Sequence, residues 1–294
     1  MKIGFLGLGV MGLPMSINLV KKSNSQILGY DVVASHLDSF VAAGGIAVTD
    51  PTEIYKACDV VMQILPTHPI IIDSVEQAIK YGKPGNIIID LSSTAPHIIQ
   101  ELHTKVTAAG QFLLDSPVSG GNPAAKAGTL AIMTGGEKTA FEKAKPLLSC
   151  LGTPIYTGKS GSGSITKLVN NMVAGAYLAA ITEAYAFAAK AGLDLETTFN
   201  ATKTGFAGGP LYDNKVPMLI KRDYTPGARI AVHRKDIINA KQYAHKLAID
   251  TPVTDVVLEI MDWANDNGHI DEDQTAMVKY YEAKMNVQVG NEIK

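Results

Sequence analysis

A few short clusters in this chain carry residue types that could do chemistry. Gly7-Leu8-Gly9-Val10-Met11-Gly12 follows an apolar run, Ile3–Leu6, and opens an amphipathic stretch. In that context the first glycine permits a tight turn, the second lets backbone approach a pyrophosphate, and the third lets a helix pack on a strand. The helix start would turn its unpaired N–H groups and positive dipole end towards the phosphates. Asp31 ends the next apolar run, 19 positions after Gly12. A carboxylate there can grip both ribose hydroxyls of a dinucleotide and repels a 2′-phosphate, so NAD(H) is expected in preference to NADP(H).

A second cluster, Asp115-Ser116-Pro117-Val118-Ser119-Gly120-Gly121, also follows an apolar run. At the carboxyl end of a sheet, its hydroxyl and successive amides could form a nest for a carboxylate; taken alone it is an ordinary Ser/Gly/Pro turn. Lys167 and Asn171 stand four apart near the start of a long helical segment, so they share a face and can converge on one ligand. The macrodipole disfavours an ammonium in those first turns, which suits Lys167 to shuttling a proton, against the plain alternative of a surface lysine. In His233-Arg234-Lys235-Asp236, at the start of another predicted helix, Asp236 suits the dipole and Lys235 does not. A ligand or partner is expected to hold that lysine, with a solvated charged helix start as the rival. The 7 histidines form no HxxxH and no His/Cys set, so no metal is assigned. There is no GxSxG elbow to support nucleophilic hydrolysis.

These residues need a scaffold. Ile3–Leu6, Ile27–Tyr30, Val60–Leu65, Ile87–Leu91 and Phe112–Leu114 read as strands, with helical stretches near 11–22, 35–43, 68–81 and 97–109 between them. Such alternation predicts a doubly wound, mostly parallel α/β sheet of the Rossmann kind with helices on both faces. Asp50-Pro51-Thr52-Glu53 reads as a capped helix start, with Glu53 reaching back. Thr129–Thr134 and Ile155–Tyr156 read as late strands. After Gly158-Lys159-Ser160-Gly161-Ser162-Gly163 strand signals nearly vanish, and one Ala-rich helical segment runs from Ser164 to about Ala191, followed by helices near 194–203, 233–248, 252–266 and 274–285. Residues 1–160 are therefore expected to form a dinucleotide-binding Rossmann domain, and 161–294 an all-helical domain that begins with a long interdomain helix.

Composition narrows the partners. With 294 residues, 26 Lys+Arg against 28 Asp+Glu and a formal net charge of -2, the chain lacks the cationic field that nucleic acid would favour. Its longest apolar stretch, Leu168–Thr182, counts 15 residues against the roughly 20 of a membrane span. Cys58 and Cys150 lie far apart, and the N-terminus carries no cleavable apolar leader, which points to the cytoplasm. A small carboxylate is the expected ligand. A long helix apolar on several faces makes a homodimer or homotetramer the expected assembly.

Taken in order, Gly7–Gly12, Leu65-Pro66, Ser119-Gly120-Gly121, the GxGxxxKxxNN stretch ending at Asn171, and Lys235-Asp236 resemble the β-hydroxyacid dehydrogenases over essentially the whole chain. The resemblance implies an NAD-dependent oxidoreductase that interconverts a small 3-hydroxy acid and its semialdehyde in a cleft between a Rossmann and a helical domain. It implies Lys167 as catalytic acid/base, Asn171 as the residue holding lysine and reacting oxygen, and Ser119, Gly120 and Gly121 as binders of the substrate carboxylate. It also implies Lys235 reaching the cofactor, with Asp236 on the substrate side, and Leu65, Pro66 and Ser93 lining the nicotinamide site. Asp90–Pro96 and Arg229–Asp236 look most like the tartronate semialdehyde reductase branch, with 3-hydroxyisobutyrate dehydrogenase and glyoxylate or succinate semialdehyde reductase as the nearest alternatives. Thr67 stands where asparagine is frequent, and Ala207-Gly208-Gly209 where Ala-Gly-Ser is. Two remoter readings, an imine reductase and a catalytically dead cofactor-binding protein, are opposed by Lys167. A phosphogluconate dehydrogenase would need a helical domain far longer than the 134 residues after position 160.

Overall fold

The computed structural model describes residues 1–290 and divides them into two compact units, the first Met1–Lys167 and the second beginning at Leu168. The first unit holds nine strands: β1 (Lys2–Leu6), β2 (Gln26–Tyr30), β3 (Ile46–Ala47), β4 (Val60–Gln63), β5 (Ile87–Asp90), β6 (Phe112–Asp115), β7 (Val118–Ser119), β8 (Leu130–Gly135) and β9 (Gly152–Gly158). They form one sheet in the order β3-β2-β1-β4-β5-β6-β8-β7, with β9 pairing β8. The run from β3 to β6 is wholly parallel, whereas β8 is antiparallel to both β6 and β7.

The pleat sorts this sequence into two cores. Ile3, Phe5, Val60, Met62, Ile87, Ile89 and Leu114 point to one face, and Leu6, Val61, Ile88 and Leu113 to the other. Strands such as Val60–Gln63 and Ile87–Asp90, buried at every position, are the near-continuous apolar runs that a sheet covered on both faces requires. On the first face lie α1 (Gly12–Lys22), α2 (Ala34–Ala42), α6 (Gly121–Ala127) and α7 (Lys138–Leu148). On the second lie α3 (Pro51–Ala57), α4 (His68–Tyr81) and α5 (Pro96–Ala108). Asp50 caps α3 by accepting from Thr52 N–H at 2.8 Å, with Pro51 at the first helical position. The helix α7 falls where sequence reading marks no element. Its buried Ala140, Phe141, Ala144, Leu147 and Leu148 repeat with helical spacing, so the signal is present in the sequence.

The second unit is helical. It contains most of α8 (Ser162–Lys190), then α9 (Leu195–Thr202), α10 (Pro210–Ile220), α11 (Ile230–Lys246), α12 (Pro252–Asp266), a single 3-10 turn Gln274–Met277, and α13 (Val278–Met285). Leu178, Ile181, Tyr185 and Ala186 of α8 pack with Val216, Ile237, Ile260 and Met277 in its core. The 15-residue apolar stretch lies within this 29-residue helix, close to the expected Ser164 to about Ala191. One expectation changes: by length and composition α8 could cross a membrane, with a mean hydropathy of 1.4 in its most apolar window, yet it supplies core residues to this unit. The helix α10 is absent from the sequence reading because Pro210 and Pro217 interrupt its pattern. Pro210 is tolerated at the first position, and Pro217 sits inside the helix.

Candidate active site

The glycine turn has the geometry its residues demand. Gly7 adopts φ +87°, and a side chain on Gly12 would lie 1.8 Å from the Gly7 carbonyl oxygen, so strand end and helix start touch through backbone. At Gly9 a Cβ would meet open space, which is the room a pyrophosphate needs. Leu8, Val10 and Met11 complete the turn, and Val10 lies exposed at its rim. Asp31 is engaged within the fold. Its Oδ2 accepts from Leu8 N–H at 2.5 Å and its Oδ1 from Val33 N–H at 2.8 Å, so the carboxylate also ties the glycine turn to the end of β2.

A buried polar relay supports the Leu65-Pro66 segment. Tyr55 and Ser74 share a hydrogen bond at 2.8 Å, Ser74 donates to Gln63 Oε1 at 2.7 Å, and Gln63 Nε2 faces Asp90 Oδ1 at 3.4 Å. Asp90 also accepts from Thr94 Oγ1 at 2.5 Å and from Ser92 N–H at 3.2 Å, and Ser92 Oγ in turn accepts from Leu65 N–H at 2.9 Å. Ser92, beside the expected Ser93, is therefore the residue bonded to Leu65. Nothing in the Ser92-Ser93 pair distinguishes them in sequence; only the strand-end geometry does.

The Ser119-Gly120-Gly121 segment is a strand end and a helix start in place of a plain turn. Ser119 closes β7, and Gly120 (φ +127°) and Gly121 (φ +67°) lead into α6. A side chain on Gly120 would lie 2.6 Å from Ala124 Cβ, so only glycine fits. Asn122, which sequence reading does not single out, donates to Val10 O at 2.6 Å, and Asn18 of α1 donates to Ala125 O at 2.8 Å. These two amides bring the segment and the glycine turn together within the first unit.

Lys167 lies on the second turn of α8, half-buried, and the helix start beneath it is fixed by Asp115 at the end of β6. Asp115 Oδ1 accepts from Gly161 N–H at 2.9 Å and Oδ2 from Ser164 N–H at 2.8 Å. Gly163 makes the approach possible, since a Cβ there would fall 2.2 Å from the Asp115 carbonyl oxygen. Burial pushes the Asp115 carboxyl up to about 6, outweighing the pull of those two amides in the other direction. The unfolded chain loses this proton near pH 4 and the folded chain near pH 6, so the contribution to stability is whole below pH 4 and declines until pH 6. Comparing urea midpoints of the protein and Asp115→Asn should show the native advantage shrinking by about 3 kcal/mol between pH 4 and pH 6.5. A difference constant across that range would refute it.

In the second unit, α8 and α11 meet through a polar cluster. Asn171 Nδ2 donates to buried Asp236 Oδ2 at 2.6 Å, Asn171 Oδ1 accepts from Asn170 at 2.9 Å, and Lys235 Nζ lies 3.1 Å from Asp236 Oδ1. His233 Nε2 is 2.9 Å from the Asn171 carbonyl oxygen, which can only accept, so Nε2 carries the hydrogen. Gly175 admits this closeness, since a Cβ there would lie 3.0 Å from Val257 Cγ1 and 3.4 Å from the His233 ring. The helix begins at Ile230, three residues earlier than expected, so Lys235 and Asp236 sit on its second turn. On the second turn Asp236 is held by Asn171 and Lys235, in place of the expected interaction with the helix dipole.

Room at Gly9 beside a strand-end carboxylate, on the parallel part of the sheet, is the geometry of a dinucleotide-binding unit. Residues 2–161 match the family described as the NAD binding domain of 6-phosphogluconate dehydrogenase, and residues 161–281 match the NAD-binding family of NADP-dependent 3-hydroxyisobutyrate dehydrogenase. The chain belongs to the β-hydroxyacid dehydrogenases, which act on CH–OH groups with NAD or NADP. It is 34% identical to the 2-hydroxy-3-oxopropionate reductase of Escherichia coli, over 97% of this chain and 99% of that one. It is 31% identical to the 2-(hydroxymethyl)glutarate dehydrogenase of Eubacterium barkeri, over 98% and 97%. The 3-hydroxyisobutyrate dehydrogenase of Mycobacterium tuberculosis, solved with L-serine, superposes with a TM-score of 0.86 at 29% identity, over 95% of this chain and 98% of that one.

Proposed function

We propose that the chain reduces tartronate semialdehyde, or a semialdehyde of that size and charge, to the corresponding 3-hydroxy acid, with NAD(H) preferred over NADP(H). The observation that carries this reading is the Asn171 amide: it is clamped by buried Asp236 and lies four residues from Lys167 on one continuous helix. Full-length similarity to a 2-hydroxy-3-oxopropionate reductase supports the choice of substrate. Gly7–Gly12 and Asp31 would hold the dinucleotide, with Leu65, Pro66 and Ser93 along the nicotinamide and Lys235 reaching the cofactor. When bound, the nicotinamide supplies or accepts the hydride. Lys167, as an ammonium, gives its proton to the carbonyl oxygen during reduction and takes it from the hydroxyl during oxidation. Asn171 orients the lysine and the reacting oxygen, the amides of Ser119, Gly120 and Gly121 fix the substrate carboxylate, and Asp236 keeps Asn171 aligned.

The test is NADH oxidation against tartronate, methylmalonate and succinate semialdehydes and glyoxylate. The expected result is the highest kcat/KM for tartronate semialdehyde. A preference for methylmalonate semialdehyde would instead make the chain a 3-hydroxyisobutyrate dehydrogenase. The cofactor assignment rests on Asp31. Asp31→Ser should weaken both dinucleotides, because Leu8 and Val33 lose their acceptor, and should move the affinity ratio towards NADPH. An unchanged ratio would count against it.

We also propose that the chain works in the cytoplasm as a homo-oligomer. Both cysteines are free thiols, which suits a reducing compartment. Val169, Val173, Ala180, Ala184 and Phe187 form one exposed apolar stripe along α8, a face suited to a second copy. Phe187→Glu should shift the protein towards the monomer in light scattering, and an unchanged mass would remove α8 from the interface.

A further inference from the structure

His36 stands on the first turn of α2 with Nδ1 3.2 Å from Asp31 Oδ1. Its side chain is 36% exposed, whereas that of Asp31 is 10% exposed. The start of α2 has no side-chain cap: Val33 occupies the N-cap with an apolar side chain, and its carbonyl oxygen accepts from the His36 amide at 3.1 Å. Resting on the reading that Asp31 faces the adenosine ribose, the 2′ position would therefore meet three things: a carboxylate, an imidazole and an uncapped helix start. The first repels a phosphate, and the last attracts one. The second changes sign of influence with its proton.

We propose that His36 makes the cofactor choice of this enzyme depend on pH. As a neutral ring, His36 leaves Asp31 its full charge against a 2′-phosphate. As an imidazolium it offsets that charge and adds a cation beside the start of α2. The other titratable or charged groups on the elements packed with α2 are Lys21 and Lys22 of α1, Tyr30 of β2, and Asp38 on α2 itself. Of these Lys22 is turned to Cys150 O at 3.2 Å, and Asp31 is the acid in ion-pair contact with His36. The NADP dependence named in the description of the C-terminal family then need not conflict with an aspartate at the end of β2.

Calorimetric Kd values for NADH and NADPH at pH 6 and pH 8, without substrate, test this on the intact protein. The ratio Kd(NADPH)/Kd(NADH) should fall about fivefold more from pH 8 to pH 6 in the wild type than in His36→Gln, the effect of one unit charge a few ångströms away in a water-like dielectric. The 2′-phosphate also titrates near pH 6, and because both proteins share that change, only the difference between them reports on His36. Equal pH dependence in the two proteins overturns the proposal. If neither dinucleotide binds the wild type, or Asp31→Ser leaves the ratio unchanged at pH 8, the underlying assignment of Asp31 fails instead.

Discussion

Lys167→Ala is expected to lower kcat by about 10²–10⁴-fold, the usual contribution of a positioned acid or base, while NADH affinity stays within a few-fold of the wild type. Carbonyl reduction leaves an alkoxide unless a proton arrives with the hydride. A half-buried ammonium on a helix start held by Asp115 is suited to supply it without recruiting water. The loss should appear mainly in kcat, because the proton moves in the transition state and contributes little to ground-state binding. Lys167→Arg should be nearly as inactive, since a guanidinium retains its proton and cannot act as the base in the reverse direction. Steady-state kinetics in both directions, with NADH binding measured separately, decide the matter. Near-wild-type turnover in Lys167→Ala with cofactor bound would remove the lysine from the mechanism.

The second large effect is on stability. Asp273 is fully buried and accepts from Lys215 Nζ at 2.8 Å through each carboxylate oxygen, from Gly227 and Ala228 N–H at 3.1 and 3.0 Å, and from Thr275 N–H and Oγ1 at 3.1 and 3.2 Å. It thereby joins α10, the loop before α11 and the 3-10 turn. Asp273→Ala strands the Lys215 ammonium, which is only 7% exposed, and unpairs four further donors; a loss of about 3–5 kcal/mol is expected. Lys215→Met should cost clearly less, because the carboxylate keeps its amide and hydroxyl donors and the methionine fills the stem's volume. Urea midpoints of the two variants should therefore rank Asp273→Ala below Lys215→Met. The reverse order, or a change under 1 kcal/mol for Asp273→Ala, would show that the network is not what holds this unit together.

Much of the fold is legible in the sequence because it is written in local pattern. The parallel strands are apolar at nearly every position, and glycine spacing marks the first turn, because a side chain at Gly12 would strike the Gly7 carbonyl oxygen. Helices α4 and α12 begin and end where their own residues say they should, each with a proline at the first turn. Where the pattern is broken by tertiary demands, local reading falters. Pro217 is accommodated inside α10, and α11 begins at Ile230, where Ile230 and Ala231 N–H groups bond to the carbonyls of Glu272 and Ile270 far along the chain.

The same division runs through the site. Residue types and spacing by themselves determine a dinucleotide turn, an acid at the end of β2, and a lysine and asparagine one helical turn apart, since each depends on neighbours a few positions away. Only the tertiary structure decides what holds those groups. Asp115 secures the start of α8 from 46 positions upstream, Ser92 bonds the Leu65 amide, and Asp236 clamps Asn171 across 65 positions. It also decides that Asp31 is already engaged by the Leu8 amide of the glycine turn, 23 positions upstream. A side chain's chemistry is local, but its partners are set by which distant strands and helices pack together, and no short-range spacing encodes that.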